Sequence, residues 1–435
     1  MSIAGPPALA NVHFFAWNRS GMPVTNMTSS NNQFEVKVLD SLEAIESLRA
    51  FWSTLQGDPE SDIDFVSFIV RARPEIIRPY VLLVLESGMP VALLAARLEN
   101  SRFEIKFGYK VLWRTKIRRI AVFYGGFMGR TDAIIGEVVI RFLLRSLRQE
   151  KADLLLWSGV QRDCILQTLL SDIPYFLCRD RLARFVRHWT MKMPVSLDEF
   201  LQQRMSKKQR YNAKRSMQLI EKEFPGQVRY ASYSNPDEVG DFFQNAVKIA
   251  KTTYQWGLGV GFQGSEENKD RLFLEAKKGW FRGYVLFVKG EPAAFWISTV
   301  YNGTVYLDYT GYDPGFRDYE VGTALFLRMI GELCRGNVKQ LDFGPGTAFY
   351  KEQFGDAAFE EATLCTFSST VRGMVLGGLN FVTQGPLELC RALLKRFGLE
   401  QKLKKFWRKY MTPAGEPKEP FQTQVPANSG KVGNL

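Results

Sequence analysis

The chain has 435 residues, 46% hydrophobic and 23% charged, which is the composition of a globular protein and argues against intrinsic disorder. Its five cysteines are widely spaced without a C-x-x-C pair, so neither a disulfide framework nor a zinc site is indicated. With only two histidines, His13 and His188, histidine-based triads and His-rich metal sites are nearly excluded, and we expect no metal centre.

The formal net charge of +12 is concentrated in two segments. Residues 201–222 hold seven basic residues and one acid, and residues 386–411 hold eight basic residues and two acids. Because these two segments account for the whole excess, the rest of the chain is neutral on balance. Each basic segment therefore needs its own explanation.

The two ends of the chain are rich in small and polar residues, and they predict flexible tails over 1–33 and 412–435. No secretory signal is visible, and the longest uncharged run, 373–387, is too short for a spanning helix. We therefore expect a cytoplasmic protein.

The first half, 34–192, predicts a strand, two helices, three strands, a helix, a strand, a helix and a closing strand. Two of its middle strands are expected at 91–98 and 102–109. His188, inside the apolar run "RFVRHWTMKM", is expected to be an ordinary residue of the closing strand.

The second half, 193–368, predicts the same order of elements more clearly. Ser196 with Glu199, and Ser206 with Gln209, have the spacing of capping boxes, so they predict two successive helix starts. Three strands follow a helical region, and Asn302-Gly303 predicts a hairpin turn between the last two. The sequence thus predicts two related units, each a mixed α/β layer, followed by a basic amphipathic segment over 369–411.

The stretch "YTGYDPGFRDYEVGTALFLRMI", 309–330, predicts a strand end, a turn and a helix start. A helix N-terminus presents backbone N–H groups without intrahelical partners and a partial positive charge. Gly322 and Ala324 would let a ligand approach closely, so this helix start is a candidate seat for an anion. Close helix-on-sheet packing is the competing explanation for the same small residues.

The predicted element order resembles the GNAT acyltransferase fold, and its duplication resembles the tandem-GNAT FemAB superfamily. The pattern "YDPGFRDYEVGTAL … LDFGPGTAFYKEQFGD", preceded by the basic "SKKQRYNAKR", is similar to the CelD/BcsL type of acyltransferase-like protein associated with bacterial polysaccharide biosynthesis. The resemblance covers about 36–368 and is strongest over 280–356.

This resemblance implies transfer of an acyl group, in the simplest case acetyl, from acyl-CoA to an amine or hydroxyl of a polysaccharide or cell-envelope precursor. The second unit would bind acyl-CoA, and the first would have lost that role and shape the acceptor groove. The cofactor-binding residues implied by the resemblance are Tyr309, Gly311, Tyr312, Arg317, Val321, Gly322, Thr323 and Ala324.

Acyl transfer needs a group that takes a proton from the nucleophile and an acid for the departing thiolate. Asp308 and Asp313, at the end of the strand beside the expected thioester, are the candidate bases, and Tyr350 or Tyr312 the candidate acid. The candidate substrate-binding residues are Arg210, Asp342 and Lys351.

Alternatives remain open for both activity and partners. The basic stretch 204–222 is either a solvated connector or a phosphate contact, and the latter would suit an aminoacyl-tRNA-dependent transferase. Tyr319 replaces the Arg or Gln usual in the family, and Glu320 adds a negative charge, so these residues favour a non-catalytic scaffold. The amphipathic stretch 386–410 predicts a peripheral contact with the inner face of the cytoplasmic membrane or with a protein partner.

Overall fold

The computed structural model describes residues 33–107, 110–257, 261–346 and 349–396. The predicted tails and the end of the basic amphipathic segment lie outside these ranges. The described part of the first unit (34–192) has the predicted alternation of helices and strands. Its elements are β1 (Phe34–Leu39), α1 (Leu42–Glu46), α2 (Arg49–Leu55), α3 (Ile63–Ala72), β2 (Ile76–Pro79), β3 (Val81–Glu86), β4 (Met89–Phe107), β5 (Lys110–Gly129), α4 (Ala133–Gln149), β6 (Leu154–Gln161), α5 (Ile165–Asp172) and β7 (Val186–Lys192).

The second unit (193–368) begins with two helices and then follows the order of the first unit, with three strands in place of the four from β2 to β5; a long helix follows it. Its elements are α6 (Leu197–Arg204), α7 (Lys207–Glu223), β8 (Val228–Tyr233), α8 (Val239–Thr252), α9 (Tyr254–Gly257), α10 (Glu266–Lys277), β9 (Phe281–Val288), β10 (Glu291–Tyr301), β11 (Thr304–Tyr312), α11 (Val321–Leu333), β12 (Gln340–Pro345), α12 (Phe349–Phe354) and β13 (Ala357–Phe367), before α13 (Val371–Arg396). Short 3-10 turns lie at Pro59–Ser61, Phe176–Cys178, Pro236–Glu238 and Pro314–Tyr319.

Local capping explains the start of the second unit. Ser206 Oγ accepts a hydrogen bond from Gln209 N, and the Gln209 side chain accepts one from Ser206 N, so the capping box predicted for α7 is confirmed. At α6, Ser196 Oγ accepts from Glu199 N, but the Glu199 carboxylate bonds to Val195 N instead. Both helices begin where the sequence predicts.

The strands form one mixed sheet in the order β1-β3-β4-β5-β6-β13-β7-β12-β11-β10-β9-β8, with β2 paired to β4. The two units exchange their closing strands: β7 pairs with β12 of the second unit, and β13 pairs with β6 of the first. β7 and β13 also pair with each other, so the exchanged strands join both halves of the sheet. A chain boundary near residue 192 therefore does not coincide with a boundary in the sheet.

One strand prediction in the first unit is wrong. The strands expected at 91–98 and 102–109 are a single strand, β4, which pairs with the equally long β5. Polar residues such as Glu99 and Asn100 are typical of a turn, but here they pair with residues of β5 as part of the strand. The buried Glu99 carboxylate forms ion pairs with Arg97 and Arg119. The result is a hairpin that extends well beyond the neighbouring strands.

The parallel pair β11–β12 separates soon after it forms. Its pairing runs only from Thr304–Gln340 to Tyr306–Asp342, although β11 continues to Tyr312. Ile297 of β10 pairs with Tyr309, whereas the next residue, Ser298, pairs with Leu307, so Asp308 forms a β-bulge. This bulge lies where β11 and β12 separate. Two parallel strands that diverge beside a bulge leave backbone groups available to a ligand.

Helices cover both faces of this part of the sheet. On one face, α7 and α11 pack on Trp296, Leu307 and Phe343. On the other face, α8 and α10 pack on Phe295 and Tyr309. Since successive strand residues point to opposite faces, this alternation decides which predicted site residues can meet.

Candidate active site

The first turn of α11 opens into a pocket of about 200 Å³, which we call the α11 pocket. Glu320, the residue before the helix, has a left-handed backbone (φ 49°), and its side chain does not cap the helix. The N–H groups of Val321, Gly322 and Thr323 have no acceptor within the helix. The pocket is lined by Met205, Gln209, Asn212, Ala213, Trp296, Tyr312, Arg317, Glu320, Val321, Gly322, Thr323, Phe326, Tyr350, Gln353 and Phe354.

Three polar atoms in the wall of this pocket are buried without a hydrogen-bond partner: Trp296 Nε1, Tyr350 Oη and Gln353 Oε1. Leaving a buried donor or acceptor unsatisfied costs about 1–3 kcal/mol each, so proteins rarely bring several together without a reason. Two of the groups can donate and one accepts. A ligand with both acceptors and donors would satisfy them.

The α11 pocket brings together five of the eight predicted cofactor-binding residues: Tyr312, Arg317, Val321, Gly322 and Thr323. The other three lie elsewhere. Tyr309 is buried in the core against α8, and Ala324 is buried in the core beneath α11. A Cβ on Gly311 would lie 2.7 Å from the Phe295 ring, so this glycine serves strand packing.

The predicted catalytic residues are less close to one another. Asp308 is buried, and its carboxylate accepts from Thr299 Oγ1 at 2.8 Å and pairs with Arg271 at 3.2 Å. Asp313 accepts from Gly315 N at 2.8 Å and thereby caps the short turn before α11. Of the three, only Tyr350 lines the α11 pocket, and burial raises the pKa of its hydroxyl.

The predicted substrate-binding residues also have partners within the protein. Arg210 donates to the carbonyls of Met205 (2.8 Å) and Gln202 (3.4 Å) at the end of α6. Lys351 is completely buried, and its Nζ donates to the carbonyls of Pro345 (2.8 Å) and Gly344 (3.3 Å). Burial lowers the pKa of Lys351 to about 7, although the nearby Asp342 carboxylate opposes the shift.

Asp342 contributes to a polar chain that the sequence does not reveal. Its Oδ1 lies 2.7 Å from His188 Nε2, and His188 Nδ1 lies 3.0 Å from Glu361 Oε1. Tyr124 donates to the other oxygen of Glu361 at 2.7 Å. Burial alone would lower the pKa of His188, but its hydrogen bonds to the two carboxylates outweigh burial and raise it to about 9. His188 does lie in the closing strand, as predicted, but it links three strands.

Two further carboxylates come from the 3-10 turn of the first unit. Desolvation raises the pKa of Glu60 to about 7, an effect that Arg271 counteracts and Asp308 reinforces. Desolvation and the neighbouring Glu60 charge also raise the pKa of Asp58, and Asp342 adds to that shift. Glu60 is therefore within electrostatic reach of Asp308 on β11 and of Arg271 on α10, the helix that covers the face opposite α11. Sequence reasoning missed both residues, because "GDPES" is typical of any solvated turn.

The first unit has a corresponding strand separation, but a side chain fills it. β5 and β6 pair only from Arg119–Leu154 to Val122–Trp157. Just beyond, a Cβ on Gly159 would lie 2.4 Å from the Tyr124 ring, so that ring occupies the space between the strands. The two units thus share a topology but differ at this place.

Part of the second unit is similar to a known protein family. Residues 207–352 match the family model described as an acetyltransferase (GNAT) domain, a range that includes α7, the separated strands and the α11 pocket. No curated protein matches the chain.

The described residues contain no helix that is long and apolar enough to cross a membrane. Nor do they contain three His, Cys, Asp or Glu side chains placed to hold a metal ion.

Several solved structures are similar in fold. A conserved protein of unknown function from Bacteroides thetaiotaomicron VPI-5482 is 13% identical, with 76% of this chain and 99% of that chain covered and a TM-score of 0.48. A tandem GNAT protein from the clavulanic acid biosynthesis pathway is 12% identical (78% and 99% covered, TM-score 0.43). FemX is 11% identical (73% and 95% covered, TM-score 0.44).

The predicted fold class, a mixed α/β fold of two tandem GNAT-like units, is confirmed by the repeated element order, the sheet and the domain match. The finer resemblance to the CelD/BcsL type stays a prediction.

Proposed function

We propose that the protein is a GNAT-type acyltransferase that transfers an acyl group, in the simplest case acetyl, from acyl-CoA to an amine or hydroxyl of a polysaccharide or cell-envelope precursor. The observation that carries this proposal is the α11 pocket, where an uncapped helix N-terminus and three unsatisfied polar atoms lie beside two diverging strands. The match of 207–352 to a GNAT domain supports the same assignment. The acceptor class rests on the sequence resemblance over 280–356.

The residues of the α11 pocket suit the donor. The N–H groups of Val321, Gly322 and Thr323, with the guanidinium of Arg317, provide positive charge for a pyrophosphate. The unpaired edge of β11 offers hydrogen bonds to the amides of a pantetheine arm. Glu320 also lines the pocket, and its carboxylate opposes an anion there. In the first unit Tyr124 blocks the corresponding space, which supports a donor site in the second unit alone.

The carboxylates on the opposite face suit the acceptor. Ionised Glu60 would take a proton from the acceptor amine or hydroxyl, whose lone pair then adds to the thioester carbonyl. The carbon–sulfur bond breaks, and the thiolate leaves with a proton. Tyr350 can supply that proton, because burial keeps its hydroxyl protonated near neutral pH. Asp308 is a weaker candidate for the base than Glu60, because Arg271 and Thr299 already engage its carboxylate.

Calorimetric titration with acetyl-CoA tests the donor site. Gly322 is the second residue of α11, and a Cβ there would first meet Tyr312 at 3.8 Å, so Gly322→Trp would fill the pocket without displacing the backbone. Gly240 is the second residue of α8, and a Cβ there meets nothing within 4 Å, so Gly240→Trp is a matched control. We expect saturable binding that Gly322→Trp abolishes and Gly240→Trp preserves. Absence of heat from the wild type would favour the non-catalytic scaffold.

One observation favours an aminoacyl-tRNA donor as a second candidate. Lys207, Lys208, Lys214 and Arg215 are exposed on α7, the helix that also contributes Gln209 and Asn212 to the pocket. Arg210 is less suited to this test, because it bonds to carbonyls of α6. Retention of charged tRNA at low salt, lost when Lys207, Lys208 and Arg215 become Glu, would support this donor.

A further inference from the structure

Large hydrophobic side chains are exposed mainly in three segments that pack together. Of the 18 exposed large hydrophobic residues in the described part of the chain, ten lie in the β4–β5 hairpin, the 3-10 turn at Phe176–Cys178 with the residue before it, and α13. We call these ten residues the apolar patch: Leu112, Trp113, Tyr175, Phe176, Leu177, Val371, Val375, Leu379, Phe381 and Val382.

A shared core holds the three segments against one another. Ile105 and Ile117 of the hairpin, Cys178 of the turn and Leu376 of α13 belong to one buried cluster. The Arg181 guanidinium lies 3.7 Å from the centre of the Phe176 ring and 5.6 Å from that of Phe381, so the turn and α13 also meet at the surface. The exposed residues therefore belong to one continuous part of the molecule.

The outer side of α13 is the clearest element of the patch. Val371, Val375, Leu379 and Val382 follow one another at spacings of three or four residues, which places them on one stripe of the helix. Leu376 is buried on the inner side. A surface helix normally presents polar residues outward, so a helix that is apolar on its inner and outer sides requires a second partner.

The hairpin continues this surface. Trp113 pairs in register with Ile105, and residues opposite each other on paired strands point to the same side of the sheet. Trp113 therefore points to the side on which α13 packs. It is 42% exposed, whereas Ile105 is only 6% exposed, so the apolar face of the hairpin continues beyond its covered part.

The three segments that carry the apolar patch are also rich in basic residues. Among the side chains that the structure describes, those of residues 101–105, 111–118, 173–184 and 371–383 include eight Lys or Arg residues and two acids, Glu104 and Asp180. Neither acid is exposed: Glu104 is buried, and Asp180 accepts hydrogen bonds from the backbone N–H of Cys365 and Leu182. An exposed surface that combines apolar and aromatic side chains with a strong excess of cations complements an anionic lipid surface.

We propose that the apolar patch docks the protein on the surface of an anionic bilayer. The patch belongs to the first unit and α13, so this binding is separate from the α11 pocket and independent of the proposed transfer activity. α13 continues to Arg396, so the surface also leads into the basic segment that the sequence singles out.

Vesicle co-sedimentation of the full chain tests this proposal. The probes are phosphatidylcholine vesicles with and without phosphatidylglycerol, at low and high salt. We expect binding only to the anionic vesicles, weakened by salt because exposed charges are screened. The double variant Val375→Asp, Val382→Asp should weaken binding about tenfold or more, because it removes two aliphatic groups and adds two negative charges.

Met89 and Val195 are also exposed, at 61% and 85%, but lie outside the patch, so Met89→Asp, Val195→Asp is the matched control. Thermal unfolding of both double variants checks that each remains folded. Equal vesicle binding by the wild type and the patch variant would overturn the proposal. So would absence of binding to anionic vesicles, or a solution dimer that the patch variant dissociates, which would assign the patch to a second copy of the chain.

Discussion

His188 and Asp342 are 154 residues apart in the chain, and their side chains meet at 2.7 Å because β7 crosses from the first unit to pair with β12 of the second. Glu361 on the other exchanged strand holds the second ring nitrogen. The imidazolium thus forms part of the junction between the units. Its protonation state should affect the stability of the whole molecule.

The His188 contribution to stability should decrease as pH rises. The pKa of His188 is about 9 in the folded protein and about 6.5 in an unfolded chain, so its stabilising effect is complete below about pH 6.5 and is lost through about pH 9. Urea unfolding should show that the advantage of the wild type over His188→Gln falls by on the order of 3 kcal/mol across this range. Tyr124→Phe, which removes one bond to Glu361 but keeps the imidazole, should retain the pH dependence. A difference between the wild type and His188→Gln that is constant with pH would contradict this prediction.

Lys351 should show the opposite trend. Its pKa is about 7 in the folded protein and about 10.4 when unfolded, so folding bears the full cost of the buried ammonium below about pH 7 and none of it above about pH 10.4. Relative to Lys351→Met, the wild type should therefore gain on the order of 4 kcal/mol of unfolding free energy as pH rises through this window.

Lys339 is exposed, so Lys339→Met is the matched control for the loss of a lysine side chain. Urea unfolding across the same pH range measures both variants. A constant difference between the wild type and Lys351→Met would show that the lysine stays charged in the folded state.

Glu60 should govern the pH profile of acyl transfer, if it is the base. The ionised carboxylate is the active form, so kcat/KM should rise with pH through about 7. Glu60→Gln should remove this limb and lower kcat/KM by about 10²- to 10⁴-fold, while acetyl-CoA binding measured by calorimetry stays unchanged. Glu46, an exposed carboxylate of the same unit, provides the control Glu46→Gln. An unchanged profile for Glu60→Gln would exclude Glu60 as the base.

The second unit was largely predictable because its signals are local. The Asn302-Gly303 turn and the cap at Ser206 each depend on a few neighbouring residues, and both features form as predicted. The α11 pocket was partly predictable for the same reason: six of its lining residues follow one another closely along the chain between Tyr312 and Thr323. Residues from α7 and α12 also line the pocket. Their approach to α11 depends on tertiary packing, which the hydrophobic periodicity of the sequence does not predict.

The junction between the units was not predictable, because it depends on strand exchange. Each closing strand has the same apolar pattern whether it completes its own unit or the other one, so no sequence signal distinguishes the two outcomes. His188, Asp342 and Glu361 therefore seemed unrelated in the sequence. Glu60 was missed for a similar reason, since its unusual surroundings come from Asp308 and Arg271 of the other unit.

Tyr350 and Tyr284 offer a direct test of whether the α11 pocket is built for a ligand. Both hydroxyls are buried without a hydrogen-bond partner, but only Tyr350 lines the pocket. Removing an unsatisfied hydroxyl should raise stability by about 1 kcal/mol in either case, so Tyr350→Phe and Tyr284→Phe should both unfold at higher urea than the wild type. Only Tyr350→Phe should weaken acetyl-CoA binding, by about tenfold, because a ligand bond is lost there and none is lost at Tyr284. If both variants bound acetyl-CoA as the wild type does, the unsatisfied Tyr350 hydroxyl would have no role in donor binding, and Trp296 and Gln353 alone would remain to explain the polar wall of the pocket.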